Sequence, residues 1–253
     1  KARTPLPCSL CNTLIKWGAL LNYSIKHLNA DYIATGHYGR IVDTESGRRL
    51  SKAKDPGKDQ SYVLWGLTNE QINHTLLPLG DYSKREIAKE AGIVTFDKPD
   101  SQDLCFIPKG TTTQQYLSNF LTVEPGPLIH TVTGEVLGEH QGTFNYTIGQ
   151  RRGLGIAYAE PLYVTSIDPD MRIVYVGPKE ALLRQELTAS FVNWIMESPP
   201  VQPFRAMAKI RYNSPASLAM IYPLPDNQVK VVFDEAQPAI TAGQVLGIYD
   251  TDN

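Results

Sequence analysis

Cysteine is scarce in this chain. Three residues in 253 exclude the disulfide framework of a small secreted domain, and a reducing cytosol is the expected compartment. Long hydrophobic runs are missing too. Nothing approaches the ~18 consecutive apolar residues of a membrane span, so no membrane partner is expected. The opening Lys1-Ala2-Arg3-Thr4-Pro5 has no apolar h-region, so no secretory signal is expected either. Charge of one sign is also lacking. A formal net charge of −2 gives no whole-chain attraction to nucleic acid, and such a partner would have to meet a local basic patch. With 42% hydrophobic and 20% charged residues, the chain reads as globular, with a sizeable core in about one to two domains.

Three textures follow one another. The first third reads as α/β. Leu14, Ile15, Trp17, Leu21, Ile25 and Leu28 recur at helical spacing and predict a helix over Asn12 to Leu28. Asp31 to His37 reads as a short buried strand ending in a glycine turn. That places Thr35-Gly36-His37 where α/β sheets bind ligands, although a plain strand-ending glycine is the commoner case. Amphipathic helices are expected over Asn69 to Leu76 and after Ser83, where Glu86 completes a capping box and Gly92 ends the helix. A short helix is expected over Tyr116 to Leu121, followed by a mixed middle. From Leu162 onward, strand-like runs alternate with turns, as in a small barrel.

The chemistry-bearing residues are spread along the chain. Cys11 abuts the expected start of the first helix, where unpaired N–H groups and the dipole favour a thiolate. A cysteine that merely fills a packing gap stands beside that reading. Cys8-x-x-Cys11 could form half of a zinc site. One further cysteine and five scattered histidines supply no second ligand pair, which counts against a metal. A thioredoxin-like pair fits no better, because Thr4-Pro5-Leu6-Pro7 stands where its strand would be. Cys105 follows Asp100 and Asp103, whose charge disfavours a free thiolate but suits a sulfur that receives a more acidic persulfide. A buried cysteine before Phe106 is the rival reading. Lys58-Asp59-Gln60 offers a phosphate contact and hydrogen bonds to a base or ribose, or is a solvated turn. Gly149-Gln150-Arg151-Arg152-Gly153-Leu154-Gly155 is a basic loop able to approach a phosphate backbone closely. Lys209 and Arg211 alternate as if on one strand face, with Tyr212 beside them for stacking.

Taken in order, these segments resemble the tRNA-specific 2-thiouridylases (the MnmA family). The resemblance is carried by Thr4-Pro5-x-Pro7-x-x-x-Cys11-Asn12, Gly36-His37-Tyr38, Lys58-Asp59-Gln60-Ser61-Tyr62, Asp100-Ser101…Cys105-Phe106-Ile107, the Gly149–Gly155 loop and Arg211-Tyr212. It implies α/β followed by all-β. The expected parts are a partial PP-loop, Rossmann-type catalytic domain over 1–108, a small mixed α/β tRNA-binding domain over 109–182, and a β-barrel over 183–253. It also implies ATP-dependent transfer of persulfide sulfur to C2 of a wobble uridine in tRNA. Magnesium would accompany ATP, and a cysteine desulfurase or sulfur-relay protein in the cytoplasm would supply the sulfur. By the same resemblance Cys105 holds the persulfide, Cys11 assists sulfur release and closes a disulfide with it, and Gly36 contacts ATP. Lys58, Asp59, Gln60, Arg151, Arg211 and Tyr212 then meet tRNA, and Leu6, Pro7 and Cys8 meet the target base.

Two departures qualify the match. The family's Ser-Gly-Gly-x-Asp-Ser type phosphate loop is not among these residues, so the chain reads as a fragment expected not to activate ATP alone. Leu6-Pro7-Cys8 also stands where many members have Asn-Pro-Asp, which puts Cys8 in place of an acid. A non-catalytic tRNA-binding fragment and another ATP-pyrophosphatase-type sulfurtransferase are the alternatives.

Overall fold

Proline opens the first helix. The computed structural model describes residues 3–45, 47–90, 92, 104–195 and 198–251. Helix α1 (Pro7–Cys11) starts at Pro7, where a missing N–H costs nothing and φ is already helical. The helical path runs on through a π-wound stretch, Asn12–Leu20, into α2 (Leu21–Leu28). Asn29, in the left-handed region at φ 50°, ends it. The helical run therefore begins five residues before the expected Asn12. Trp17 and Leu21 bury against Leu64, Leu67, Ile72 and Leu77, and the Trp17 indole N–H donates to Thr75 Oγ1 at 2.7 Å. Leu14, Ile15 and Leu28, expected on the same apolar face, are 63%, 58% and 63% exposed. The π winding re-phases the residues that follow it, so the ideal 3.6-residue spacing no longer decides which side chains face the core.

The rest of the α/β segment is built from short pieces. Strand β1 (Ile33–Ala34) pairs in parallel with β4 (Thr75–Leu76), and β2 (Arg40–Thr44) forms a hairpin with β3 (Gly47–Ser51). The helix expected over Asn69 to Leu76 is only α3 (Asn69–Asn73), capped by Thr68 and Gln71 in a capping box. Its last two expected residues leave the helix to form β4. Ser83 and Glu86 exchange the reciprocal cap hydrogen bonds read from sequence, and α4 (Lys84–Glu90) follows.

Helix α5 (Thr113–Leu117) begins three residues before the expected Tyr116, because Thr112 and Gln115 form its capping box. A four-stranded sheet in the order β6-β5-β8-β7 then closes over Leu128, Leu154, Leu162, Val164, Val174 and Val176. Its strands are β5 (Gly126–His130), β6 (Val136–His140), β7 (Tyr163–Asp168) and β8 (Ile173–Gly177). The last part is a five-stranded antiparallel sheet, β13-β10-β11-β12-β9. It comprises β9 (Leu183–Ser190), β10 (Phe204–Lys209), β11 (Ser217–Leu224), β12 (Gln228–Pro238) and β13 (Gly247–Tyr249). Alternate residues from Ala206 and Ala208 through Ala219, Ile221, Val229, Val231 and Phe233 fill its core, as period-2 patterning requires. The order, α/β followed by sheet-rich parts, is the one the sequence implies.

Candidate active site between the helical turn and the terminal sheet

The extended stretch before α1 is held by the far end of the chain. The Thr4 N–H donates to the Ala242 carbonyl at 2.9 Å, and the Gln244 side-chain amide donates to the Thr4 carbonyl at 2.6 Å. Gly243, at φ +91°, lets this loop approach closely, since a Cβ there would lie 3.0 Å from Arg3 Cβ and Thr4 N. Leu6, Pro7 and Cys8 follow directly on this anchored stretch. Asn12 secures the next turn by donating its amide to the buried Val63 carbonyl at 3.0 Å. Cys8 is exposed, Cys11 is half-buried, and both are free thiols. Because the helix begins at Pro7, Cys8 occupies its first turn and Cys11 is the last residue of α1. The expectation that Cys11 sits at the helix start is corrected accordingly.

Two loops meet next to this turn. Gly36 is exposed just past the carboxyl end of β1, and a Cβ there would find only Leu79 within 4 Å, at 3.7 Å. His37 lies 3.5 Å from Lys16 Nζ through Nε2 and 2.9 Å from Thr35 Oγ1 through Nδ1. A lysine ammonium only donates, which makes Nε2 the acceptor and puts the ring proton on Nδ1. Burial, and secondarily the Lys16 charge, push the His37 pKa down to about 4, so the ring is neutral at pH 7. Tyr38 and Gln60 clasp each other. The Gln60 N–H donates to the Tyr38 carbonyl at 2.7 Å, and the Tyr38 N–H to Gln60 Oε1 at 2.9 Å. Lys58 is half-buried at the turn, its N–H donating to the Asp55 carbonyl. Asp59 is buried and accepts from the N–H groups of Ala53 and Ser61 and from the Ser61 hydroxyl. Its carboxylate thus shapes the turn from inside.

The terminal sheet supplies the other wall. Tyr62 donates its hydroxyl to the Val245 carbonyl, and the Ser61 and Tyr249 hydroxyls lie 3.3 Å apart. Burial, foremost, raises the pKa of both phenols, Tyr249 to about 12. Lys209 Nζ stands 5.6 Å and 5.7 Å from the ring centres of Tyr62 and Tyr212, a cation between two π faces, and desolvation lowers its pKa. Strand β10 ends at Lys209, so the expected alternation of Lys209 and Arg211 on one strand face does not occur. Arg211 turns inward instead. Its guanidinium donates to the carbonyls of Ile148 at 2.9 Å and Ala239 at 2.6 Å and to the Thr241 hydroxyl. Those bonds join the glycine-rich basic loop to the terminal sheet. Gly149, Gly153 and Gly155 have φ of 85°, 75° and 70°, which only glycine adopts freely. Arg151 is exposed on that loop and lines a concavity of about 470 Å³ with Leu154, Ile156, Tyr158 and Glu160.

Cys105 is exposed and free, followed by an aromatic ladder in which Phe106 meets Tyr116 at 5.9 Å and Tyr116 meets Phe120 at 5.2 Å. Asp100 and Asp103, read above as its charged setting, lie outside the described residues. Among the described residues, no hydrogen bond or ring contact links Cys105 to the junction, and no three of His, Cys, Asp or Glu gather as metal ligands. The structure therefore brings together Leu6, Pro7, Cys8, Cys11, the 36–38 and 58–62 loops and Tyr212. Arg211 braces them from behind. Lys16, Gln244 and Tyr249 complete the site without having been singled out in the sequence. Only Lys16 left a trace, as a charged residue beside the apolar helical pattern.

Likeness to known proteins extends over nearly the whole chain. A tRNA methyl transferase HUP domain matches residues 1–109, a tRNA methyl transferase PRC-barrel domain matches 114–178, and an aminomethyltransferase β-barrel domain matches 184–253. The tRNA-specific 2-thiouridylase MnmA of Halothermothrix orenii is 47% identical over 98% of this chain and 70% of its own length. Proteins of the same name from Microcystis aeruginosa and Gloeothece citriformis are 46% and 45% identical, again over 98% of this chain and over 71% and 72% of their own lengths.

Proposed function

The chain belongs to the tRNA-specific 2-thiouridylase family, and from that premise we propose that it is a tRNA-uridine 2-sulfurtransferase, replacing O2 of a uridine with sulfur. The domain descriptions name methyl and aminomethyl transfer, whereas the relatives are named for thiolation. We follow the relatives, which align with 98% of the chain, and the free thiols Cys8, Cys11 and Cys105 suit sulfur transfer. The carrying observation is the junction itself. Segments around residues 4–12, 36–38, 58–62 and 241–249, remote in sequence, are hydrogen-bonded into one site bearing Cys11.

In this reading the target base is a wobble uridine and lies against Leu6, Pro7 and Cys8. ATP, accompanied by magnesium, would adenylate the uridine O2 with release of pyrophosphate, so that O2 would leave C2 as part of AMP. The exposed surface at Gly36, where Leu79 alone stands within 4 Å of a Cβ position, leaves room for a nucleotide beyond the end of β1. Cys105 carries the persulfide delivered by a cysteine desulfurase or sulfur-relay protein. Its outer sulfur bonds to C2 as the C2–O2 bond breaks. The Cys11 thiolate then attacks Cys105 Sγ, the S–S bond to the transferred sulfur breaks, and thiouridine leaves behind a Cys11–Cys105 disulfide. Neutral His37 offers a ring held in one tautomer beside the Lys16 cation. Lys58, Gln60, Arg151 and Tyr212 meet tRNA. Asp59, whose carboxylate oxygens accept from Ala53 and Ser61, and Arg211, whose Nη2 donates to Ile148, Ala239 and Thr241, act by holding that surface in shape. We take residues 1–108, 109–182 and 183–253 as the catalytic, central and barrel domains of a cytoplasmic enzyme.

The test is Cys105→Ser in the intact, ATP-competent protein. Thiolation should be lost while tRNA affinity stays within a factor of about three, since one exposed thiol contributes little beside phosphate contacts. Thiolated tRNA at the wild-type rate would refute the assignment.

A further inference from the structure

The cycle just proposed ends on a Cys11–Cys105 disulfide, and Cys105 has to be released before it can take another sulfur. Resting on that reading, we propose that Cys8 is the resolving thiol, which attacks Cys11 and moves the disulfide onto the exposed turn of α1. Cys8 and Cys11 both belong to α1 and stand three residues apart on one face of a single turn. Ideal helix geometry, with a 1.5 Å rise and a 2.3 Å radius, puts such Cα atoms about 5 Å apart. That lies inside the ~4.4–6.8 Å range of disulfides.

The surroundings favour transfer in this direction. Cys11 is half-buried beside Asn12, whose amide is fixed to Val63. Cys8 is exposed, so an outside reductant reaches it. Helical neighbours hold their Cβ atoms about 5–6 Å apart. A disulfide needs about 3.5–4.5 Å, so the turn has to close by an ångström or so. It is suited to do so: α1 has no side-chain cap, and Leu6 before it is outside helical geometry, at φ −107° and ψ 86°. The bond formed is exposed and made at the expense of helix geometry, which is the kind that is readily reduced.

The exchange balances without an added oxidant. The Cys8 thiolate bonds to Cys11 Sγ, the Cys11–Cys105 bond breaks, and the electron pair leaves on Cys105 Sγ, which takes up a proton. The oxidation moves from one thiol pair to the other. A dithiol or low-molecular-weight thiol then delivers two electrons to the Cys8–Cys11 bond and restores both thiols. Persulfide loading of Cys105 can therefore proceed while the reductant acts on a different bond.

The experiment is a single turnover of the intact protein with one equivalent of persulfide donor, ATP and tRNA, and no added reductant. The reaction is quenched in acid with N-ethylmaleimide, and the disulfides are mapped by mass spectrometry. Wild type should yield a Cys8–Cys11 disulfide with Cys105 alkylated. Cys8→Ser should accumulate Cys11–Cys105. With glutathione as the sole reductant, its steady-state rate relative to its own single-turnover rate should fall by about tenfold, and dithiothreitol should restore it. A terminal Cys11–Cys105 disulfide in wild type, with Cys8 alkylated, overturns the resolving role and leaves the sulfur-transfer reading standing. Thiolated tRNA formed with no disulfide in either protein overturns both.

Discussion

Replacing Asp59 by alanine should cost stability first and RNA binding second. The Asp59 carboxylate is buried, and one oxygen accepts the N–H groups of Ala53 at 2.9 Å and Ser61 at 3.2 Å. The other accepts the Ser61 hydroxyl at 2.8 Å. That hydroxyl can turn to Tyr249, but the two N–H groups have no other acceptor in place among the described residues. Leaving a buried donor unsatisfied costs about 1–3 kcal/mol, so Asp59→Ala should lose roughly 3 kcal/mol. For a chain of this size that corresponds to about 6–12 °C in the unfolding transition of the affected part. Asp59→Asn keeps the oxygen that serves both N–H groups, and its amide can donate to Ser61 Oγ, so it should lose only about 1 kcal/mol. Circular dichroism melts and filter binding of tRNA, run on both variants, separate shape from contact. If Asp59→Ala melts like wild type yet fails to bind tRNA, Asp59 faces the RNA and the structural reasoning is refuted.

His37 predicts an acid limb in stability. A free histidine titrates near 6.5, and the fold holds His37 at about 4. Between those values the unfolded chain binds the extra proton, so stability is lost as pH falls from about 6.5 to about 4. His37→Gln should flatten that limb in denaturant titrations, and an unchanged limb would place the titrating group elsewhere. Gly149→Ala should loosen the packing of the basic loop on the terminal sheet, because its Cβ would stand 2.8 Å from Ala239 Cβ at φ +85°. Limited proteolysis should then cut near residue 149 faster than in wild type. Arg151→Ala should weaken tRNA binding and lower the slope of log affinity against log salt by about 1, leaving the melt unchanged. Arg211→Ala should do the reverse at first order, lowering the melt by removing the donor shared by Ile148, Ala239 and Thr241. Equal effects of the two on the salt slope would put Arg211 on the RNA as well.

The sequence carried the fold order and the motifs further than it carried their geometry. Strand-like runs such as Ser217 to Ile221 and Val229 to Phe233, with the Pro225-Asp226-Asn227 turn between them, announced their strands because alternate residues are buried in one sheet face. Strand β9 went unread because only Leu187 and Ala189 among its eight residues are partly buried, which leaves alternation over its last four residues alone. The start of the first helix was misread for a different reason. Its apolar pattern begins at Leu14, while the boundary is set by Pro7, and the π winding hides which of Leu14, Ile15 and Trp17 faces inward. Cys11 was legible as a candidate thiol, yet its relation to Cys8 depends on that boundary. Arg211 looked like a surface cation beside Tyr212, and no local signal told of the acceptors from Ile148 and Ala239 that draw it inward. Such long-range pairings are made by tertiary packing, which single-sequence spacing does not encode.

The most direct measurement follows labelled sulfur through the intact protein. Charge the persulfide donor with ³⁵S, mix it with protein, ATP and tRNA, quench over a time course, and locate the label on cysteine peptides and on uridine. The label should appear on Cys105 before it appears in tRNA and should decay there as 2-thiouridine forms. Labelled 2-thiouridine rising with no prior label on Cys105 would contradict the account.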